Sequence, residues 1–196
     1  MLDAQKENTE LFNKYSFKVN DALDIAFEAH EGQLRTNSKQ AYIAHPIRVA
    51  CLLTKFGFSE EHVILGILHD VIEDCAEDKR QYFISAIVSK FGNDIMNDLL
   101  SLTKVSKKED GNRKVRTQID IIHYCGASKR AQEVKICDCL DNLSDVTTIG
   151  DIEFAKRYNK EKELLAIAFA EQGKCDSHLL DKLFKQIKDN EAQMDK

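Results

Sequence analysis

A short stretch of the sequence, GILHDVIEDC from Gly66 to Cys75, places side chains that bind metals or transfer protons among apolar residues. The four polar groups lie within six residues of one another: His69, Asp70, Glu73 and Asp74. The apolar residues before and between them recur at steps of one, three and four, which indicates a helix. On one helix, spacings of four would place the polar groups in two adjacent rows. The pattern therefore predicts a helix face with several candidate ligands.

Two further segments supply groups of the same kind. His45 stands just ahead of Pro46 at the start of an apolar helix, and Asp138 lies in the middle of another. An aspartate in such a helix costs free energy unless it is paired or bound to a metal. With His69 and Asp70 these residues form a set of two imidazoles and two carboxylates, which suits Mn²⁺, Fe²⁺ or Zn²⁺. The absence of a cysteine from this set predicts a catalytic metal, not a structural one.

The elements that must position these residues are helices. One proline and eight glycines occur in 196 residues, and apolar residues recur at helical spacing nearly throughout. We therefore predict an all-α fold, a single compact bundle of about nine to ten helices in one domain over residues 1–196. The predicted helices cover residues 8–31, 42–56, 60–75, 79–91, 93–103, 114–125, 130–148, 152–171 and 176–190. Polar loops are expected at residues 37–40 and 104–114.

Composition excludes several other classes of protein. The formal net charge of -5 argues against a general nucleic-acid binder, which would carry a basic stripe. No apolar run approaches the roughly 20 residues of a membrane span, and the first residues lack the apolar core of a secretory signal. The six cysteines form no CxxC pair, so we expect free thiols in a reducing compartment. The chain is predicted to be cytoplasmic, without membrane or stable nucleic-acid binding.

Five motifs then occur in a fixed order along the chain. They are AHEGQLR (29–35), YIAHP (42–46), GILHDVIEDC (66–75), LTK (102–104) and VKICDCLDNL (134–143). The order of histidines and aspartates resembles the HD-domain metal phosphohydrolases. The whole set is similar to the hydrolase domain of the RelA/SpoT homologues, and specifically to the stand-alone small alarmone hydrolases. The resemblance covers about residues 17–170, and the helices at 152–190 are expected to pack on this domain.

The resemblance implies a reaction and a cofactor. Members of the family hydrolyse the 3′-diphosphate of guanosine tetra- and pentaphosphate, written (p)ppGpp, and release pyrophosphate with GDP or GTP. The chain is therefore expected to be a (p)ppGpp 3′-pyrophosphohydrolase that uses one divalent ion, with Mn²⁺ as the first choice. The four implied metal ligands are His45, His69, Asp70 and Asp138.

The resemblance also implies roles for residues around the metal. Glu73 and Asp74 are expected to orient the attacking water or accept its proton. Four residues are expected to contact the small-molecule nucleotide: Arg35 at the purine base, Tyr42 at the nucleoside, Lys104 at the anionic groups and Asn142 at ribose or phosphate. The adjacent Lys107 and Lys108 could also attract the anionic substrate.

The sequence departs from the family around the expected base site. Thr36 stands where the family usually has lysine, residues 37–40 lengthen the loop, and Ala41 replaces a proline. Further on, Ser144, followed by Asp145, stands where the family often has arginine. Because these changes remove contacts to the base and phosphates, we expect weak discrimination between guanine and adenine.

Three alternatives stay open at this point. The same chemistry could act on another 3′-phosphorylated nucleotide, such as an adenosine alarmone (ppApp), NADPH or a modified RNA end. The same hydrolysis could serve as an antitoxin that removes the product of a toxic alarmone synthetase. The chain could also be a non-catalytic module that senses alarmones or holds a partner protein.

Overall fold

A computed structural model of the chain describes residues 17–35, 39–144 and 146–195. These ranges contain eight helices of nine or more residues, one helix of four residues and no β-strand. The helices are α1 (Phe17–Ala29), α2 (Ala44–Lys55), α3 (Glu60–Leu68), α4 (Val71–Asp74), α5 (Arg80–Leu102), α6 (Arg113–Cys125), α7 (Lys129–Leu143), α8 (Ile152–Gln172) and α9 (Ser177–Met194). The all-α prediction is confirmed, and the number of long helices falls slightly below the nine to ten expected.

Helix α7 lies at the centre of the bundle. It packs against α2, α3, α5, α8 and α9, and eleven of its fifteen residues are buried. The helix begins where Ser128 accepts a hydrogen bond from the backbone N–H of Ala131, as a good N-cap residue does. Four of the buried residues are acidic or basic: Glu133, Lys135, Asp138 and Asp141. Helix α7 therefore brings charge into the core, where each group needs a partner.

The predicted helix over residues 60–75 is interrupted, so this prediction was wrong in one respect. Helix α3 ends at Leu68, and the short α4 begins at Val71. At the break, the His69 ring donates from Nδ1 to the carbonyl oxygen of Gly66 at 2.8 Å. This bond occupies one of the carbonyls that a helix leaves without a partner at its C-terminal end. The break lies between the two helices at the residues that were predicted to bind metal.

Other predicted boundaries mostly agree with the structure. The predicted break at residue 92 is present, because α5 kinks at Gly92, whose φ of 82° is not helical. The prediction of one helix over 130–148 was wrong, since α7 ends at Leu143 and a separate 3₁₀ turn follows at Val146–Thr148.

A few predictions lie outside the described residues. They concern residues 8–16 of the predicted helix at 8–31, residues 37–38 of the predicted loop, and Asp145. The prediction of weak discrimination between guanine and adenine, which depends on Thr36, also falls outside them.

The described residues also bear on two predictions about the environment of the chain. All six cysteines are free thiols, and four of them are buried: Cys75, Cys137, Cys139 and Cys175. None of the helices in the described ranges has both the length and the apolar character needed to cross a bilayer.

Helices α2 and α3 approach closely at Gly66. A Cβ atom added there would lie 2.5 Å from Cδ1 of Leu53 and 3.5 Å from Cγ1 of Val49. Leu53 and Val49 are fully buried, so neither side chain can move into open space. The glycine therefore permits a contact that brings α2, with His45, against α3, which leads to His69.

We expect Gly66→Ala to lower the free energy of unfolding by about 1 kcal/mol. Overpacking of a core costs about 1–3 kcal/mol, whereas the gain in helix propensity from Gly to Ala is about 1 kcal/mol. Urea denaturation would measure the change. Ser89→Ala, at an exposed position of α5, is the control and should change stability by less than about 0.5 kcal/mol. A more stable Gly66→Ala protein would contradict the packing argument.

Candidate metal centre and active site

Two histidines from different segments of the chain direct the same ring atom into one small space. His45, at the start of α2, places Nε2 3.2 Å from Asp138 Oδ1 and 3.5 Å from Asp70 Oδ2. His69, at the break after α3, places Nε2 3.1 Å from Asp70 Oδ2 and 3.8 Å from Asp138 Oδ1. Ligand atoms of His45, His69 and Asp70 all lie within 4.8 Å of one another. The structure thus brings together the four residues predicted as ligands.

The opposite nitrogen of each ring is already engaged. His69 Nδ1 donates to the carbonyl oxygen of Gly66, and His45 Nδ1 donates to Oδ2 of Asp141 at 2.6 Å. Such bonds fix the ring orientation and leave the Nε2 lone pair for a metal. His69 Nε2 is buried and makes no hydrogen bond to any described residue, although it is at ion-pair distance from Asp70. A divalent ion is the partner that such a nitrogen lacks.

The electrostatics of the cluster favour a cation at its centre. Burial would lower the pKa of His45, but its contacts with Asp138 and Asp141 raise that pKa to about 9. Burial would raise the pKa of Asp138, yet Lys135 and His45 hold it well below its usual range. The carboxylates therefore stabilise positive charge on the imidazoles, and a divalent ion would satisfy the same attraction. Two imidazole and two carboxylate donors fit such an ion.

A chain of hydrogen bonds connects the metal ligands to the predicted base site. Asn142, one turn after Asp138 on α7, donates from Nδ2 to Oδ1 of Asp138. Arg35 donates from Nη2 to Oδ1 of Asn142 at 2.8 Å. An isolated antiparallel bridge between Leu34 and Ala41 holds the Arg35 segment across from α7. Arg35 and Asn142, both predicted as substrate contacts, therefore lie beside the metal cluster and touch each other.

Tyr42 also contacts the cluster directly. Its hydroxyl donates to Oδ2 of Asp70 at 2.7 Å, and the Arg35 guanidinium carbon lies 5.9 Å from its ring centroid. The side chain thus holds a candidate ligand in place and presents its ring to Arg35. The prediction assigned Tyr42 to the nucleoside, and its hydrogen bond to a candidate ligand adds a positioning contact that the sequence did not suggest.

The carboxylates of α4 lie at the edge of the cluster. Lys104 pairs through Nζ with Glu73 Oε1, and its backbone N–H donates to Glu73 Oε2 at 3.2 Å. Gln33 donates to the backbone oxygen of Asp74 at 2.9 Å and anchors this short helix. Burial and the neighbouring Asp70 carboxylate raise the pKa of Asp74. Lys104 was predicted to bind the anionic groups of the substrate. In the structure it is the ion-pair partner of Glu73.

A cavity of about 590 Å³ lies over these residues. Six cationic side chains line it: Arg35, Lys104, Arg113, Arg116, Lys135 and Lys162. Six carboxylates also line it: Asp70, Glu73, Asp74, Asp120, Asp138 and Glu161. These formal charges balance, so a divalent ion would make the wall positive overall and suited to an anionic ligand. Lys107 and Lys108, suggested from the sequence as substrate attractors, do not line the cavity.

Sequence reasoning missed several residues of this site. Asp141 holds His45, and Arg48 in turn donates to Asp141 from Nε at 2.6 Å and from Nη2 at 3.0 Å. Lys135 lies 2.9 Å from Oδ2 of Asp138, and its spacing of three before Asp138 was a usable signal. The cationic residues on α6 and α8 gave no local signal, because only packing brings those helices to the cavity.

Comparison with known proteins identifies the family. The family described as the HD domain matches residues 22–167, a range that includes all four candidate ligands. The chain belongs to the HD-domain family. Membership of this family implies a divalent metal at the cluster of histidines and aspartates. The donor atoms found there fit such an ion.

Several relatives of this HD domain carry informative names. A guanosine-3′,5′-bis(diphosphate) 3′-pyrophosphohydrolase of Borreliella burgdorferi is 30% identical over 93% of the chain, which spans 28% of that relative. The bifunctional (p)ppGpp synthase/hydrolase SpoT of Escherichia coli K12 is 28% identical over 76% of the chain, a match that covers 20% of the relative. The chain therefore spans less than a third of the length of these curated relatives.

A solved structure shares the fold of this HD domain. It is that of a metazoan ortholog of SpoT described as hydrolysing ppGpp and as having a role in starvation responses. The TM-score is 0.74 at 23% sequence identity, over 89% of this chain and 96% of that one. The likeness shows that the helical arrangement described above is common to both proteins.

We expect Asp141→Asn to weaken binding of Mn²⁺ by roughly 10- to 100-fold, the usual effect of losing a residue that supports a metal ligand. The neutral amide replaces a charged acceptor that fixes the His45 ring. Competition with a fluorescent chelator would measure the affinity without any assay of activity. Asp189→Asn, at an exposed carboxylate of α9 that pairs with Lys185, should bind Mn²⁺ as wild type does. Equal affinity in both variants would show that Asp141 has no such role.

Proposed function

We propose that this chain is a metal-dependent (p)ppGpp 3′-pyrophosphohydrolase, which cleaves the 3′-diphosphate from guanosine alarmones and releases pyrophosphate with GDP or GTP. The observation that carries the proposal is the convergence of His45, His69, Asp70 and Asp138 on one point, beside a cavity that three of them line: His45, Asp70 and Asp138. The names of the HD-domain relatives support the guanosine alarmone as substrate. A cytoplasmic location stays an expectation from the sequence.

The metal would be held by His45, His69, Asp70 and Asp138. A divalent ion bound there supplies a Lewis acid that lowers the pKa of water and offsets charge on the phosphoryl oxygens. We propose Mn²⁺, since a mixed set of nitrogen and oxygen donors without sulfur suits it. Asp141 and the Gly66 carbonyl keep the two imidazoles oriented, so the chain fixes the donors before substrate arrives.

The residues of the chain supply the proton transfer and the positioning. In the reaction, a water oxygen forms a bond to the phosphorus next to the ribose, and the bond from that phosphorus to the 3′-oxygen breaks. We assign Glu73 or Asp74 to accept the proton of the water, because both line the cavity beside Asp70. Lys104 keeps Glu73 aimed into the cavity. The accepted proton is then available for the leaving 3′-oxygen.

Arg35 and Asn142 are proposed to hold the nucleoside. A guanidinium can stack on a purine ring while its edge makes hydrogen bonds, which an ammonium cannot do. Arg35 already uses its edge on Asn142, so its plane is held in one orientation beside the metal cluster. Asn142 contacts Asp138 as well, and the pair can therefore place the nucleoside with its 3′-diphosphate at the metal.

The test of the function is hydrolysis of ppGpp by the purified chain with Mn²⁺, followed by identification of pyrophosphate and GDP as products. Chelator should abolish activity, and added Mn²⁺ should restore it. Asp138→Ala should lose most bound metal and activity, whereas Asp181→Ala, at an exposed position of α9, should keep both. If ppApp or NADPH is cleaved and ppGpp is not, the proposed substrate is wrong. A wild-type chain that binds no divalent ion would refute the metal mechanism.

Glu73→Gln and Asp74→Asn should slow turnover of ppGpp while metal content stays near normal. Loss of a general acid–base group lowers rates by roughly 10²–10⁴-fold, and neither residue is proposed as a ligand. Steady-state kinetics with metal analysis of the same samples would separate the two effects. Glu77→Gln, at an exposed position just beyond α4, should turn over normally. Wild-type rates in both amide variants would place the proton transfer elsewhere.

A further inference from the structure

A second cleft lies between α2, α7 and α9. Its volume is about 540 Å³, within the range of cavities that bind small molecules. Leu52 of α2, Phe56 just after α2 and Leu140 of α7 give it an apolar surface. None of the described residues that line this cleft also lines the cavity of the metal centre. The cleft is therefore a separate place in the molecule that a ligand can enter.

Cationic side chains outnumber carboxylates around the cleft. Among the described residues, four cations and two carboxylates line it: Arg48, Lys55, Lys182, Lys185, Asp141 and Asp189. Asp189 pairs with Lys185 at 2.7 Å, and Asp141 pairs with Arg48. Lys55 and Lys182 form no ion pair with any described residue. Two positive charges therefore remain beside an apolar surface, and an anion with an apolar body complements both.

One ligand can meet both of these lysines. Lys55 is the last residue of α2, and Lys182 lies in the second turn of α9. Each has an ammonium group on a long, flexible stem, and such stems cover apolar surface while the charged end stays mobile. A cleft of this volume takes one small molecule. The two ammonium groups can therefore close over the anionic end of a ligand whose apolar part contacts Leu52, Phe56 and Leu140.

Two hydrogen-bonded contacts connect this cleft to the candidate metal centre. Arg48 donates to Asp141 from Nε at 2.6 Å and from Nη2 at 3.0 Å. The same carboxylate lies 2.6 Å, through Oδ2, from Nδ1 of His45. Arg48 and Asp141 line the cleft, whereas His45 lines the cavity of the metal centre. One buried carboxylate, 5% exposed, thus joins the two sites.

The position of Arg48 gives a bound anion a means of acting on the metal. An anionic group beside Arg48 competes with Asp141 for the guanidinium. Asp141 then keeps more of its charge for the hydrogen bond from His45, which makes the opposite ring nitrogen a stronger metal ligand. An occupant of the cleft should therefore tighten binding of the divalent ion, and the ion should tighten binding of the occupant by the same factor.

We propose that this cleft is an effector site for a small organic anion with an apolar body, and that its occupant strengthens metal binding through Arg48 and Asp141. The inference goes beyond the proposed function, because it concerns neither the substrate nor the residues that cleave it. It is tested by binding of a probe and of Mn²⁺, so it stands or falls independently of ppGpp hydrolysis.

The first experiment measures binding of 8-anilinonaphthalene-1-sulfonate to the full chain by fluorescence. Its neutral counterpart, N-phenyl-1-naphthylamine, has the same rings without the sulfonate. Lys55→Gln/Lys182→Gln should raise Kd for the sulfonate roughly tenfold, as expected for lost charge-assisted contacts, and leave Kd for the amine unchanged. Lys79→Gln/Lys188→Gln, at two exposed positions that do not line the cleft, is the matched control and should bind as wild type does.

A labelling experiment locates the bound sulfonate. Cys51 is exposed and lines the cleft, so bound sulfonate should slow its alkylation by iodoacetamide, measured by peptide mass spectrometry. Cys125 does not line the cleft and should react at the same rate with and without the probe. An unprotected Cys51, or an unchanged Kd in the double lysine variant, overturns the site. Equal affinity for the sulfonate and the neutral amine overturns its preference for anions.

Calorimetry with Mn²⁺ tests the coupling. Saturating sulfonate should lower Kd for Mn²⁺ about fivefold, the low end of couplings between sites. In Arg48→Met, which keeps a long apolar side chain without the guanidinium, the sulfonate should leave Kd for Mn²⁺ unchanged. Unchanged Mn²⁺ affinity in a wild-type chain whose Cys51 is protected overturns the effector role. A wild-type dimer that the sulfonate dissociates would show that a second copy of the chain covers the cleft, and would also overturn the proposal.

Discussion

Pairing of the charges that α7 carries into the core is the constraint on which the rest of the structure depends. Glu133, Asp138 and Asp141 are each at most 5% exposed, and an unpaired buried charge would cost several kcal/mol. Their partners come from other elements. His62 of α3 and the backbone N–H of Asp176 bind Glu133, and the His45 side chain of α2 contacts both aspartates. The helices must therefore assemble around α7 in one arrangement.

The same ion pairs also position the candidate metal ligands. His45 can satisfy Asp141 through one nitrogen and face Asp138 with the other only if α2 crosses α7 at this level. The break after α3 adds His69 and Asp70 from the other side. Stability and metal binding thus share contacts, and the bundle keeps a polar centre that a purely apolar core would lack. Around this polar centre, as many cationic side chains as carboxylates line the cavity. The charge of a bound ion therefore determines whether the net charge of the cavity is positive or negative.

Much of the fold and of the metal cluster could be predicted from the sequence. Helical spacing located the long helices and the kink at residue 92, and His45, His69, Asp70 and Asp138 were found as ligand types in helical context. The break at His69 could not be predicted, because it depends on a side-chain bond to the Gly66 carbonyl. Asp141 was missed because its role appears only when α2 lies beside α7. Arg116 and Lys162 reach the cavity through packing of α6 and α8, which no local pattern encodes.

Helix α7 carries Lys135, Asp138, Asp141 and Asn142 within two turns, and this concentration has an evolutionary consequence. Insertion of one residue before Lys135 would rotate all four by about 100° and dismantle the centre at once. The segment at residues 105–112 lies between α5 and α6 and tolerates changes in length far better. Changes in chain length are therefore expected in the loops and not in α7. The candidate metal cluster, which depends on the register of α7, can only be kept or lost as one unit.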